Sequence, residues 1–242
     1  MGRKLQIIKH IEEEGSYRVE KQGTVLKVFK KPGVSGQQFL AENRFVNTRL
    51  HNMDFKACAA AGKLLREQLL PLLQDVKNRE TVRRVLQVML AIQDMDASPR
   101  GYKRLTSVYE TDAAKGLLTG FNFSGGQRLD TLVLKKPLIT KAGICFKDFV
   151  ATTDLRLPEG ATHAELRGGC IQLNLAEDYG VSEFSKPVRV VLNERVRQVK
   201  LSMRADDSVG GLCLYVLKLR FFRNGLGMRG DGQCAVAIVQ VV

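Results

Sequence analysis

No stretch of this 242-residue chain approaches the roughly 20 consecutive apolar residues that a membrane-spanning helix needs. The opening MGRKLQIIKHIEEEG has neither the apolar centre nor the small-residue cleavage site of an export signal. A cytoplasmic protein with no membrane partner is therefore expected. Histidine is scarce: His10, His51 and His163 lie far apart, without the spacing a metal site requires. The five cysteines, Cys58, Cys145, Cys170, Cys213 and Cys234, are odd in number, widely spaced and set among apolar neighbours. That pattern argues against a disulfide framework and against zinc, and fits small buried hydrophobes. No metal or cofactor is expected, and internal repeats and low-complexity segments are absent.

What the chain does have is positive charge. Lys and Arg number 38 against 25 Asp and Glu, a formal net charge of +13. A basic surface attracts nucleic acid, acidic membranes or acidic protein faces. The excess is spread out, with 21 basic and 13 acidic residues up to position 121 and 17 and 12 beyond it, and it forms no basic tail. At 44% hydrophobic and 26% charged, the chain is able to bury one large core or two modest ones.

Residues 16 to 30, SYRVEKQGTVLKVFK, alternate apolar and polar about Gln22-Gly23, the pattern of a β-hairpin with a glycine turn. KPGVSG breaks it. Helical spacing follows: Phe39, Leu40 and Phe45 begin it, and Phe55, Ala59, Gly62, Leu65 and Leu69 continue it at intervals of three and four until Pro71 stops it. Asn78 fits a cap for a helix to about Asp94 with an apolar face of Val82, Val85, Leu86, Met89 and Ile92. A weaker helical stretch carries Tyr102, Leu105, Val108 and Tyr109. From Phe121 onward the texture changes to short apolar and β-branched runs: LDTLVL, GICFKDFV, THAELRGGCIQLNL, PVRVVLN, VRQVKLSM, LCLYVLKLRFF and QCAVAIVQVV. No helix-length pattern interrupts them, which disfavours a parallel sheet and favours an antiparallel sandwich. The expected fold is α+β, with a hairpin and helical region over 1–120 and a β-sandwich over 121–242.

Three nucleotide-like motifs fail on their context. Gly62-Lys63 has Ala57 where a phosphate loop needs its first glycine, Leu64 where it needs a hydroxyl, and no preceding strand. Phe123-Ser124-Gly125-Gly126-Gln127-Arg128 resembles the signature motif of ABC-type ATPases, which works only beside a complete phosphate loop, so a Gly-Gly turn is the better reading. Gly225-x-Gly227-x-x-Gly230 matches the dinucleotide fingerprint but runs into a strand, whereas that fingerprint sets pyrophosphate on a helix N-terminus. It fits a hairpin tip instead, and Arg229-Gly230-Asp231 within it matches adhesion ligands only by letter. His51, His163 and Cys145 share no spacing that joins them with an acid, and the acid runs Glu12-Glu13-Glu14 and Asp206-Asp207 read as solvated charge. No enzyme activity is expected.

The first hundred residues resemble an uncharacterised bacterial family. The matching residues are Lys31-Pro32-Gly33-Val34, Thr48-Arg49, Asn52, Phe55 and Gly62-Lys63-Leu64-Leu65-Arg66. Leu50-His51 stands before Asn52 where the family has one acidic residue, and Asp54 stands where it has Glu. The resemblance spans about half of the chain and implies no activity and no catalytic residue.

What remains is a structural or interaction protein that associates with itself in a ring, tube or filament. Its expected packing surface is Ala57, Ala60 and Ala61, a bare helix face permitting close approach, together with Val25 and Phe29 of the hairpin. The first alternative is a basic nucleic-acid-binding module, or a partner for an acidic protein surface, with contacts from Lys27, Lys30, Lys31, Arg79, Arg83, Lys218 and Arg220. On a strand, Lys218, Arg220 and Phe222 share one face, and stacking on bases would need Phe222 in the open. The second alternative is a hydrolase of unrecognised type.

Overall fold

The computed structural model describes residues 17–22, 25–30, 33–76, 78–206, 208–228 and 233–242. Contacts divide the chain into two compact units, Met1–Arg49 and Leu50–Val242. Helices and antiparallel sheets make the fold α+β.

In the first unit, β1 (Tyr17–Gln22) and β2 (Val25–Lys30) pair antiparallel, from Tyr17 opposite Lys30 to Gln22 opposite Val25. Gly23 of the expected turn lies outside the described residues, as do Lys31 and Pro32. Helix α1 (Gly36–Ala41) opens on a capping box: the Ser35 hydroxyl accepts the Gln38 amide at 3.1 Å and Gln38 Oε1 accepts the Ser35 amide at 3.0 Å. So short a helix gains little from propagation, and this reciprocal bonding satisfies two amides that otherwise have no intrahelical partner. A 3₁₀ turn, Asn43–Phe45, follows, and Arg49 Nη1 donates back to the carbonyls of Phe39 at 2.7 Å and Glu42 at 3.1 Å. No residue from 33 to 49 is buried.

Helix α2 (Val46–Gln68) buries Asp54, Cys58, Ala61, Gly62 and Leu65. Of the expected stripe, Gly62, Leu65 and Leu69 are buried, whereas Phe55, 41% exposed, and half-buried Ala59 lie to one side of this face. Non-local bonds set the rotation. Asp54 Oδ2 accepts the amide of Gly101 at 2.8 Å, and Cys58 Sγ donates to Gln93 Oε1 at 3.1 Å. Gly62 is the point of closest approach: a Cβ there would lie 3.2 Å from Val85 Cγ1. Pro71 sits in the first turn of α3 (Leu70–Leu73), where its missing N–H is tolerated, so the long helix ends as expected. Helix α4 (Asn78–Gln93) buries Val85, Val88, Met89 and Ile92, while Val82, expected on that face, is exposed. The weaker helical stretch forms α5 (Leu105–Val108) and α6 (Asp112–Leu118), the latter capped by Thr111.

The remaining elements are α7 (Leu129–Leu132), β3 (Leu138–Thr140), β4 (Gly143–Val150), α8 (Ala151–Asp154), β5 (His163–Asn174), β6 (Tyr179–Phe184), β7 (Val188–Val191), β8 (Arg195–Ser202), β9 (Leu212–Arg223), β10 (Leu226–Gly227) and β11 (Cys234–Val241). LDTLVL, expected as a strand, opens with the single helical turn α7. Leu129 and Leu132, three apart, both point inward there, and only Val133 makes a β-bridge, to Leu155.

Two antiparallel sheets result. In the larger, β5 and β9 pair from His163 opposite Phe222 to Leu173 opposite Leu212. The other edge of β5 is shared by β7 at His163–Leu166 and by β6 at Gly169–Asn174. The other edge of β9 is shared by β11 and β10. The smaller sheet has the order β3-β4-β8.

Both faces of the larger sheet are covered. One face gives Leu166, Tyr215, Leu217, Leu219, Phe221 and Ala237 to a core shared with Ile144, Phe146, Phe149, Val199 and Leu201 of the smaller sheet. The other gives Ile171, Leu173, Leu214, Val216, Val236 and Ile238 to a core shared with Cys58, Leu65, Val85 and Ile92 of the helices. A boundary near residue 120 would cut through this second core. The continuous apolar runs of β9 and β11 follow directly, because a strand covered on both faces has no polar side to show.

Gly62→Leu is expected to lower stability by roughly 2 kcal/mol through overpacking against Val85 and Met89. Urea denaturation measures it, and an unchanged midpoint would contradict the packing of α4 on α2.

Candidate functional site

The expected packing surface splits. Ala61 is buried in the helical core, whereas Ala57 and Ala60 are exposed. At 100° per residue the two exposed alanines belong to a second stripe of α2, Leu50, Met53, Ala57, Ala60 and Leu64, spaced three, four, three and four residues apart. Met53, Ala57 and Ala60 are exposed, and Leu50 and Leu64 half-buried. That interval is the spacing of a seam that receives a second helix, and alanine at its centre allows the backbones to approach. On the hairpin, the β1–β2 register puts Val25 opposite Gln22 and Phe29 opposite Arg18, with Lys27 opposite Glu20 and Lys30 opposite Tyr17. Gly62-Lys63 sits inside a continuous helix, where no loop is available to cradle phosphate, and Lys63 reaches Glu67 at 3.7 Å on the exposed side.

The basic face expected on β9 exists but is not open. Lys218 and Arg220 point the same way and converge on one carboxylate: Lys218 Nζ lies 2.7 Å from Asp75 Oδ2, and Arg220 Nη1 lies 2.9 Å from Asp75 Oδ1. Lys218 is only 7% exposed. Partial burial pushes the Asp75 pKa up, but the hydrogen bond from Lys218 and the charges of Lys218 and Arg220 outweigh it and hold the carboxyl below its ordinary value. Phe222 is 6% exposed, with the Arg189 guanidinium 4.7 Å and the Arg220 guanidinium 5.2 Å from its ring centre. It offers no open ring for a base. Cross-strand register brings further residues to this face, with Glu165 opposite both Arg220 and Arg189 and Arg167 opposite Lys218. Glu165 pairs with Arg189 at 2.8 Å, and Arg167 is tied to the carbonyls of Ser185 and Pro71. The alternation H-A-E-L-R in β5 was the available signal for these partners; the loop carboxylate Asp75 carried none. Arg83 is exposed on α4, Arg79 lies in its first turn, and Lys31 lies outside the described residues.

Among the described residues the hydrolase reading finds no gathered site. His51 is exposed, His163 Nδ1 lies 2.9 Å from the neighbouring Thr162 Oγ1, and Cys145 Sγ accepts Gln198 Nε2 at 3.0 Å. Among the described residues neither His51 nor His163 hydrogen-bonds a carboxylate or a cysteine, and no cluster of three His, Cys, Asp or Glu residues is placed to hold a metal. No helix among them is long and apolar enough to cross a membrane. Ser124 of the Gly-Gly segment turns inward to bond Asn122 Oδ1 at 2.8 Å. Gly225 and Gly227 belong to the turn and strand after β9, while Arg229, Gly230, Asp231, Glu12, Glu13, Glu14 and Asp207 lie outside the described residues. Asp206 accepts both the amide and the hydroxyl of Ser208, and these bonds hold its pKa down.

The cysteines differ in chemistry. Burial, with Asp54 and Asp94 nearby, pushes the Cys58 thiol up to about 12. Cys170 and Cys213, on adjacent strands, have their sulfurs 3.3 Å apart. Their hydrogen bond lowers the Cys213 pKa and raises that of Cys170.

Compared with protein-family models, curated proteins and solved structures, the chain matches none of them. Function therefore rests on the surfaces just described.

Two outcomes test these sites. Asp75→Ala leaves the buried Lys218 ammonium uncompensated and is expected to cost roughly 2–4 kcal/mol, with much of the loss recovered in Asp75→Ala/Lys218→Met. Because the folded-state pKa of Asp75 is lowered, its contribution is full above the unfolded carboxylate value of about 3.9 and fades as pH falls through the folded value. Urea midpoints from pH 7 to pH 3 read this directly. Limited iodoacetamide labelling at pH 7.5 with peptide mapping is expected to modify half-buried Cys213 before buried Cys170 and Cys58, since the reagent needs access to the sulfur; equal rates would contradict the assignment.

Proposed function

We propose that this protein is a non-enzymatic interaction protein that associates with further copies of itself, with the two-sheet half acting as a β-sandwich platform. The observation that carries this reading is the outer stripe of α2, in which Met53, Ala57 and Ala60 are exposed between half-buried Leu50 and Leu64, beside a helix face that is already buried. A helix placed in this way shows a second, partly open apolar stripe beside the one its own unit buries. Packing the stripe against its copy on a second chain is an isologous contact and closes a dimer. Extension to a ring, tube or filament needs a second contact, which the N-terminal hairpin supplies by adding to a neighbour's sheet edge. In the first unit, the absence of any buried residue from 33 to 49 supports that use, since so small an element gains little stability from its own packing.

Nucleic-acid binding has less support. Asp75 occupies Lys218 and Arg220 of β9, Glu165 occupies Arg189 of β7, and Phe222 is covered.

Sedimentation velocity across a concentration series tests the proposal. The wild-type chain is expected to associate, and Ala57→Glu/Ala60→Glu to sediment as a monomer with an unchanged melting temperature, because both positions are exposed. A wild-type monomer at every concentration would overturn it.

A further inference from the structure

A cleft of about 470 Å³ opens where the outer strand β11 of the larger sheet and β3 of the smaller one line a common space. Its volume falls within the range of ligand sites, roughly 300–1,000 Å³. Leu129, Val133, Ile139, Leu217, Ala237 and Val239 make its walls, and most of them also belong to the core between the two sheets. Val239 lines it from a β-bulge: the β11–β9 register passes from Ile238 opposite Val216 to Gln240 opposite Tyr215, so Val239 has no partner in the ladder. Bulges of this kind re-aim side chains at sites.

The rim is cationic. Lys135 and Lys136 both line the cleft. Lys135 is committed, its Nζ 2.6 Å from the Asp148 carbonyl and 3.2 Å from Asp154 Oδ2. Lys136 is exposed and has no hydrogen-bond or ion-pair partner among the described residues. Thr119 and Gly120 are shared with a second, polar recess of about 270 Å³ that contains Arg84 and Arg128. This shared rim is fixed in place, since Gly120 N donates to the Ile238 carbonyl at 2.8 Å and Ile238 N to the Phe121 carbonyl at 3.0 Å. The one carboxylate lining the cleft, Asp130, is held by Arg128 at 2.8 Å. An apolar chamber with an uncompensated ammonium at its mouth matches a molecule with an apolar chain and a negative head.

We infer that this cleft binds a free single-chain carboxylate amphiphile, its alkyl chain against Leu217, Val133 and Val239 and its carboxylate at Lys136. Neutral amphiphiles lack the charge that Lys136 pairs with. Short carboxylates lack the chain that the walls desolvate. The inference is independent of self-association, which involves α2 on a different part of the unit.

Isothermal titration calorimetry of the full chain with decanoate, hexanoate and decanol is the test. Decanoate is expected to bind saturably at one site, and hexanoate, four methylenes shorter, at least about fiftyfold more weakly. Lys136→Glu, on the surface, is expected to weaken decanoate about tenfold and leave decanol unchanged. Val239→Trp is expected to fill the chamber and abolish both. Absence of decanoate heat, equal affinity for hexanoate, or an unchanged affinity in Lys136→Glu would each overturn the inference, and the Lys136 variant keeps it testable if the tryptophan disturbs folding.

Discussion

The double burial of the β5–β9–β11 sheet is the constraint on which the second unit depends. Each strand has to satisfy two partners at once, the smaller sheet below and the helices above, and along the span the helices cover this removes the polar alternation a half-exposed strand would show. The helices are thereby committed to an angle of approach. Gly62 lets α4 come close to α2, and the Asp54–Gly101 bond fixes which side of α2 turns inward. Everything proposed for the outer stripe of α2 follows from that rotation, since a turn of one residue, 100°, would put Ala57 where Cys58 is buried.

Where the helical cover stops, the sheet has to finish its upper end with polar chemistry. It does so by clustering charge about few carboxylates. Asp75, reaching from the loop after α3, ties together two cations of β9, and Glu165 serves Arg189 across the strands. Net positive charge in the sequence is therefore a poor guide to accessible positive charge. A lysine with 7% of its surface exposed attracts no polyanion.

The sequence was most legible in the longer strands, whether buried on both faces, as β9, or on one, as β8. β4, β5, β8, β9 and β11 announce themselves as β-branched and apolar runs ended by Gly, Pro or Asp, and their observed limits differ from those runs by a residue or two. β3, only three residues long, and β6, YGVSEF with a glycine and no buried position, carry too little apolar pattern to stand out. LDTLVL was ambiguous in principle, because Leu-x-x-Leu fits a helical turn as well as the start of a strand. On α2 the spacing identified a helix but could not choose between adjacent apolar stripes, since the choice is made by Gly101 and Gln93, far along the chain. For the candidate sites, alternation in β9 disclosed Lys218 and Arg220, while Asp75, 143 residues away from Lys218, left no mark. The cleft behind Lys136 was equally silent, because it is made by the meeting of two sheet edges rather than by any segment.

The pairing of β5 with β9 also sets a tempo. It joins residues 163–173 to residues 212–222, with β6, β7 and β8 strung between them. Closing that loop costs chain entropy before any ladder bond repays it, so the central seam of the sheet belongs to the late, non-local class of contacts. β6 and β7 find β5 over far shorter separations. Loop-closure entropy therefore favours an outward-in order, with the edges on one side of β5 expected to form before the seam that buries both cores.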